Sequence, residues 1–252
     1  MSFNDKVVLV TGGSSGIGAT TAIEFAAQGA KVVIVGRDEK KLNEVAKKCN
    51  NPVALVADIT KENDLKSVVE ETINHFGKLD ILINNAGMVS PAGILSENAM
   101  EVFDRVMNIN LRSAVYLTHL AAPHIIKTKG NIVNISSTTS SFVLFKDSFA
   151  YNTSKAAMDH FTRSVAAELA SSGVRVNSVN PGPVKTKGIE NASRTKPEND
   201  AVLAWLKNVT ALKRISDPKE ITDVILFLAS EKAKGITGSI FVSDNGALIN
   251  AD

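Results

Sequence analysis

Cysteine is almost absent from this chain of 252 residues. Cys49 is the only one, which excludes an intrachain disulfide framework and a multi-cysteine zinc site and fits a reducing compartment. No stretch reaches 18 consecutive apolar residues, so no membrane-spanning helix is expected. Excess charge of either sign is lacking: 28 Lys and Arg against 26 Asp and Glu leave +2, too little for a strong polyanion-binding face. No nucleic-acid partner is therefore expected. Met1 to Asp5 shows no basic segment followed by an apolar one, and Asn250-Ala251-Asp252 reads as no targeting tripeptide or prenylation box. The expectation is a cytoplasmic protein. Of the four histidines, only His119 and His124 fall close together, five apart and on different helix faces, so no metal site is expected.

What is present is an ordinary globular balance, 44% hydrophobic and 21% charged. Short β-branched runs at Lys6–Val10, Lys31–Val35, Val53–Ala57, Leu79–Asn84, Asn131–Ile135, Val174–Val179 and Ser239–Val242 read as strands. Most are apolar throughout, as parallel strands covered on both faces must be. Helical patterns fill the gaps, at about 17–28, 38–49, 62–76, 97–127, 149–171 and 217–230. This alternation predicts an α/β fold, a Rossmann-like doubly wound parallel sheet of about seven strands with helices on both faces. No repeat or linker divides the chain, so residues 1–252 are expected to form one domain, with an insertion at 184–213 read as a substrate lid.

The first strand runs into Thr11-Gly12-Gly13-Ser14-Ser15-Gly16-Ile17-Gly18, followed by a helix. Glycine permits positive φ and close backbone approach to a pyrophosphate, and the helix amino end offers free N–H groups to the anion. Tyr151 and Lys155 are four apart in a predicted helix, so they share a face. A nearby ammonium, joined by the oxidised nicotinamide that the family resemblance described next implies, is expected to favour the phenolate and so tune the phenol for proton transfer.

These motifs, with Asn84-Asn85-Ala86-Gly87, Asn108-Ile109-Asn110, Ser136-Ser137 and Pro181-Gly182-Pro183-Val184, occur in an order that resembles the short-chain dehydrogenase/reductase family over nearly the whole chain. The resemblance implies catalytic roles for Asn110, Ser137, Tyr151 and Lys155. Asn110 would hold a water in a proton relay; a local backbone bond is the plainer alternative. The resemblance places the cofactor on Gly12, Ser14, Ser15, Gly16, Ile17, Gly18, Arg37, Asp58, Ile59, Asn85, Ala86, Gly87, Tyr151, Lys155, Pro181, Gly182, Val184 and Thr186. NAD-preferring relatives carry an acid near Gly36; here Arg37 follows a glycine, and its fork suits a 2′-phosphate. NADP(H) is the expected cofactor, with NAD(H) as the alternative. Asp38 is read as a helix cap.

The expected reaction interconverts a carbonyl and a secondary alcohol, with reduction favoured. Phe142 to Phe149, Met88 to Ile94 and Ile189 to Leu206, including Trp205, form the candidate pocket. Its apolar character points to a small apolar carbonyl or alcohol substrate, such as a steroid, isoprenoid or 3-oxoacyl compound. Apolar residues on more than one face of 97–127 and 149–171, among them Val115, Leu117, Leu120, Phe161 and Val165, suggest a homotetramer or homodimer. The alternative is a catalytically weak NAD(P)-binding regulatory or scaffold protein of the same fold.

Overall fold

A computed structural model describes residues 1–186 and 195–250. Its seven strands are β1 (Val7–Thr11), β2 (Lys31–Gly36), β3 (Val53–Val56), β4 (Ile81–Asn84), β5 (Asn131–Ile135), β6 (Arg175–Pro181) and β7 (Ile240–Ser243). They form one parallel sheet in the order β3-β2-β1-β4-β5-β6-β7. The order reverses between β1 and β4, so a crevice opens at their carboxyl ends, where ligands bind in such sheets. The helices are α1 (Gly16–Ala27), α2 (Glu39–Ala46), α3 (Glu62–Phe76), α4 (Ala99–Met107), α5 (Ser113–Thr128), α6 (Phe149–Leu169), α7 (Lys196–Asn208) and α8 (Pro218–Ala229).

The continuous apolar strands are explained by two cores. Val8 and Val10 of β1 pack with Phe25 of α1 and Ile221 and Ile225 of α8 on one face. Val7 and Leu9 turn the other way, onto Leu65 of α3, Leu117 of α5 and Leu169 of α6. Strand alternation thus feeds both layers from one five-residue run. Helix ends follow local chemistry: Gly77 closes α3 at φ 74°, and Asp217 with Glu220 forms a reciprocal cap at the start of α8.

Several expectations are refined by the structure. The helix expected at 97–127 is interrupted: Asn108–Arg112 forms a π-helical segment between α4 and α5. The strand expected from Leu79 begins at Ile81, because the Asp80 carboxylate takes the Val7 N–H at 2.9 Å in place of a ladder bond. In the 184–213 insertion, α7 is a helix; residues 187–194, including Ile189 of the expected pocket, lie outside the described residues. Leu117 is a core residue 1% exposed, so it supports no subunit contact; Leu120, Phe161 and Val165 are half-buried, and Val115 is exposed.

Candidate active site

Thr11 ends β1 and organises the crevice. Its hydroxyl accepts the N–H groups of Asn85 and Ala86 at 3.0 and 3.1 Å, and its carbonyl accepts Asn85 Nδ2 at 2.8 Å. The loop after β4 is thereby pinned to the glycine turn. Gly12 and Gly16 have φ of +65° and +55°. A Cβ on Gly12 would lie 2.8 Å from Asn85 Nδ2, and one on Gly18 would collide with the same amide and the Gly12 carbonyl. The turn therefore needs glycine for its conformation and for its approach to the Asn85 loop. Ile17 packs against the first core. Ser15, the exposed residue before α1, makes no side-chain cap, and the first turn of α1 holds no acid. Its amide groups and positive dipole end are left for an anion.

At the next strand end, a side chain on Gly36 would meet Ser14 Cβ at 3.2 Å, so an acid there needs Ser14 to give by a few tenths of an ångström. Arg37 is exposed and, among the described residues, makes no hydrogen bond or ion pair; its charge helps hold the Asp58 carboxyl below the usual range, after the bonds from Thr60. Asp38 caps α2, accepting the Lys41 N–H at 3.1 Å. Arg37 and Asp58 line one open cleft of about 870 Å³ with Thr60, Ile109 and Leu111. Ile59 is half-buried beside the second core. On the far side, Gly182 donates to the Ser243 carbonyl at 3.0 Å, Pro181 ends β6, and Val184 is held in a bridge to Ser216. The Thr186 methyl would sit 3.3 Å from a Cβ on Gly16, so this segment lies over the glycine turn. These residues gather at the carboxyl ends of the strands, around the glycine turn.

The proton-handling residues meet at the carboxyl end of β5. Lys155 is 4% exposed, and its ammonium donates to the Ile135 carbonyl at 2.7 Å. Ser136 fixes the helix itself, donating to the Lys155 carbonyl at 3.0 Å. The Ser137 hydroxyl faces the Tyr151 phenol, pulling its pKa down, and accepts from Thr139 Oγ1 at 3.0 Å. Lys155 Nζ lies 5.7 Å from the Tyr151 ring centroid. Asn110 projects from the π-helical segment, fully buried. Its Oδ1 accepts the Met88 N–H at 2.8 Å, and its Nδ2 donates to the Met88 carbonyl and to Ser154 Oγ at 2.9 and 3.0 Å. Gly87 is the hinge of this cluster: a Cβ there would be 3.4 Å from Asn110 Oδ1 and 3.6 Å from Lys155 Nζ.

Without the oxidised nicotinamide that the expectation includes, desolvation dominates the electrostatics. Desolvation pushes the Tyr151 pKa up, only partly offset by Ser137. Desolvation also lowers the Lys155 pKa to about 8, against the opposing pull of Asp159. The lysine is spent on the Ile135 carbonyl, and burial outweighs its help to a phenolate. The protein alone therefore keeps Tyr151 a phenol. Sequence reasoning assigned no role to Thr11, Ser136 or Ser154; the first stands inside the glycine motif and the last beside Lys155, so position was the available signal.

A glycine turn between β1 and α1 at the switch point defines a dinucleotide-binding α/β protein. The comparisons agree. A family profile described as Enoyl-(Acyl carrier protein) reductase matches residues 12–247. The chain is 36% identical to L-fucose dehydrogenase of Bos taurus over 242 residues, 96% of this chain and 89% of that protein. A cofactor-bound short-chain dehydrogenase/reductase from Caenorhabditis elegans, 32% identical, superposes with TM-score 0.93 over 99% of this chain and 97% of its own. Ligand-free aldohexose dehydrogenase of Thermoplasma acidophilum, 30% identical, gives 0.90 over 99% and 96%. The chain belongs to the short-chain dehydrogenase/reductase family. It is an oxidoreductase acting on CH–OH groups with a nicotinamide cofactor.

Proposed function

We propose that this enzyme reduces an apolar ketone to a secondary alcohol with NADPH. The observation that carries the reading is the meeting of Ser137, Tyr151 and Lys155 across Gly87 from Asn110, beside the glycine cradle. Gly12, Ser14, Ser15, Gly16, Ile17 and Gly18 would hold the pyrophosphate, Asp58 and Ile59 the adenine, and Asn85, Ala86 and Gly87 the adenosine ribose. Pro181, Gly182, Val184 and Thr186, with Tyr151 and Lys155, would hold the nicotinamide end. When bound, the cofactor supplies the hydride.

The chain's own residues manage the proton and the charge. Tyr151, kept protonated by desolvation, donates its proton to the carbonyl oxygen. Ser137 Oγ donates a hydrogen bond to that oxygen as negative charge builds on it. Lys155 and Asn110 begin the route that returns a proton from bulk. Free Arg37 after Gly36 supports a 2′-phosphate. Apolar side chains near the site support the substrate class: Val89, Ile94, Phe142, Val143 and Phe145 are exposed, and Phe145 packs on Trp205 of α7 with ring centroids 5.1 Å apart. The 184–213 segment serves as the substrate lid. Val115 and Met100, exposed on α5 and α4, support a homodimer or homotetramer.

A second reading is favoured by the L-fucose and aldohexose dehydrogenases among the relatives: oxidation of a sugar hydroxyl. One experiment separates the two. NADPH consumption is followed with steroid, isoprenoid and 3-oxoacyl thioester ketones, and NAD⁺ and NADP⁺ reduction with L-fucose and other aldohexoses. Ketone turnover with NADPH is the expected result. Turnover confined to the sugars, or preferring NADH to NADPH, overturns the proposal.

A further inference from the structure

Tyr151 and Lys155 continue along α6 to a third residue on the same face, Asp159. It is 7% exposed, an unusual place for a carboxylate. Its Oδ2 accepts Asn180 Nδ2 at 2.8 Å. Among the described residues its Oδ1 has only the Ser178 hydroxyl at 3.4 Å, whose single proton is drawn to Asn180 Oδ1 at 2.8 Å. One short bond leaves a buried anion poorly served, and such a group persists when a cation balances it. The cation at hand is Lys155, one helical turn away. They form no ion pair in contact; the attraction acts across that turn, and it opposes the desolvation of the ammonium.

Asn180 carries the anchor further. The same Nδ2 group lies 3.1 Å from the Ser137 carbonyl and 3.0 Å from Ser140 Oγ. Asp159 on α6 is thus tied through β6 to the backbone of the serine that faces Tyr151. We propose that Asp159 is a positioning residue of the proton-transfer site: its carboxylate orients Asn180, which fixes the Ser137 backbone, and its charge sustains the Lys155 ammonium. This rests on the catalytic reading of Ser137, Tyr151 and Lys155 given above.

Among the described residues no other charge competes for the role; Arg112 of the π-helical segment is exposed and paired with Glu62. The π-helical segment, the turn at Thr138–Ser140 and β6 present Asn110, Ser137, Ser178 and Asn180 to this face, all neutral. The α4 charges Glu101, Asp104 and Arg105 are exposed. Arg175 lies at the opposite end of β6, bound to the Leu228, Ser230 and Ile236 carbonyls.

The test reads Lys155 directly, without substrate. In protein with ¹³Cε-labelled lysine, the resonance lost in Lys155→Met is titrated by NMR. Asp159→Asn should move its midpoint down by about 0.5–1 pH unit, since losing a nearby anion disfavours the ammonium. Asp159→Glu should restore it. An unmoved midpoint in Asp159→Asn overturns the proposal. Turnover of the ketone identified above should fall about tenfold in Asp159→Asn with the cofactor KM unchanged; wild-type kcat also overturns it. If Asp159→Asn is insoluble, Asn180→Ser decides, with a several-fold lower kcat expected and an unchanged one refuting. Tyr151→Phe keeps the two readings apart: persistent turnover there defeats the catalytic reading, whereas its loss beside an unmoved Lys155 midpoint defeats only the role of Asp159.

Discussion

Burial of the Lys155 ammonium makes stability depend on pH with a definite sign. Its pKa falls from 10.5 to about 8 because desolvation outweighs the pull of Asp159. Below pH 8 the folded and unfolded chains both hold the proton, and the cost of burying the charge is at its largest. Between about 8 and 10.4 the unfolded chain binds a proton that the folded one has released, so stability rises with pH. The gap of about 2.5 pH units is worth about 3 kcal/mol at 1.36 kcal/mol per unit. Lys155→Met lacks this linkage, and groups common to both proteins cancel in the comparison. From pH 7 to 10 the wild type should gain about 2–3 kcal/mol on the variant. At about 2–4 °C per kcal/mol for a domain of this size, the Tm difference should move by about 5–10 °C in favour of the wild type. Thermal unfolding followed by circular dichroism across that range measures it. A Tm difference independent of pH would refute the reasoning, and one moving the other way would show a lysine stabilised in its charged form.

Tyr151→Phe should lower kcat by about 10²–10⁴-fold while NADPH binding, followed by cofactor fluorescence, stays near the wild-type value. Arg37→Ala should raise the KM for NADPH about tenfold or more and leave NADH use unchanged, since a charge-assisted bond to the 2′-phosphate is worth about 1.5–3 kcal/mol; equal effects on both cofactors would refute the assignment. Gly12→Ala must hold φ near +65° and displace Asn85 from Thr11. That combination should cost about 2–3 kcal/mol, read as a Tm lower by about 5–10 °C with weakened cofactor binding.

The sheet was legible because its strands are apolar on both faces: β1 could serve no other architecture with Val7, Val8, Leu9 and Val10 all buried. The candidate site residues were read by motif and register, and the structure brings Ser137, Tyr151, Lys155 and Asn110 near one another. Depth was not. The sequence shows that Lys155 neighbours Tyr151 but not that the ammonium is buried beside a half-buried phenol, so desolvation enters only with the structure. The π-helical segment escaped for a related reason, although a clue was present. Buried Val102, Val106, Asn110 and Ala114 are spaced by fours, longer than the 3.6 period, so a regular helix would turn this row away from its buried contacts. Asp159 carried its own clue as an acid in register with Tyr151 and Lys155; only the partners on β6 show what it holds. The apolar faces of α5 and α6 misled in part, because Leu117 is consumed by the sheet.

The extra residue between α4 and α5 acts as a phase shifter. Winding Asn108–Arg112 as regular α-helix with every residue kept would turn everything after it by about 100°. Leu117, Ala121 and Ile125 would swing away from the strands they cover, and polar flank would be driven inward. The irregularity that displays Asn110 to its neighbours is therefore locked to the packing of the next sixteen residues, and neither can be edited out without dismantling the other.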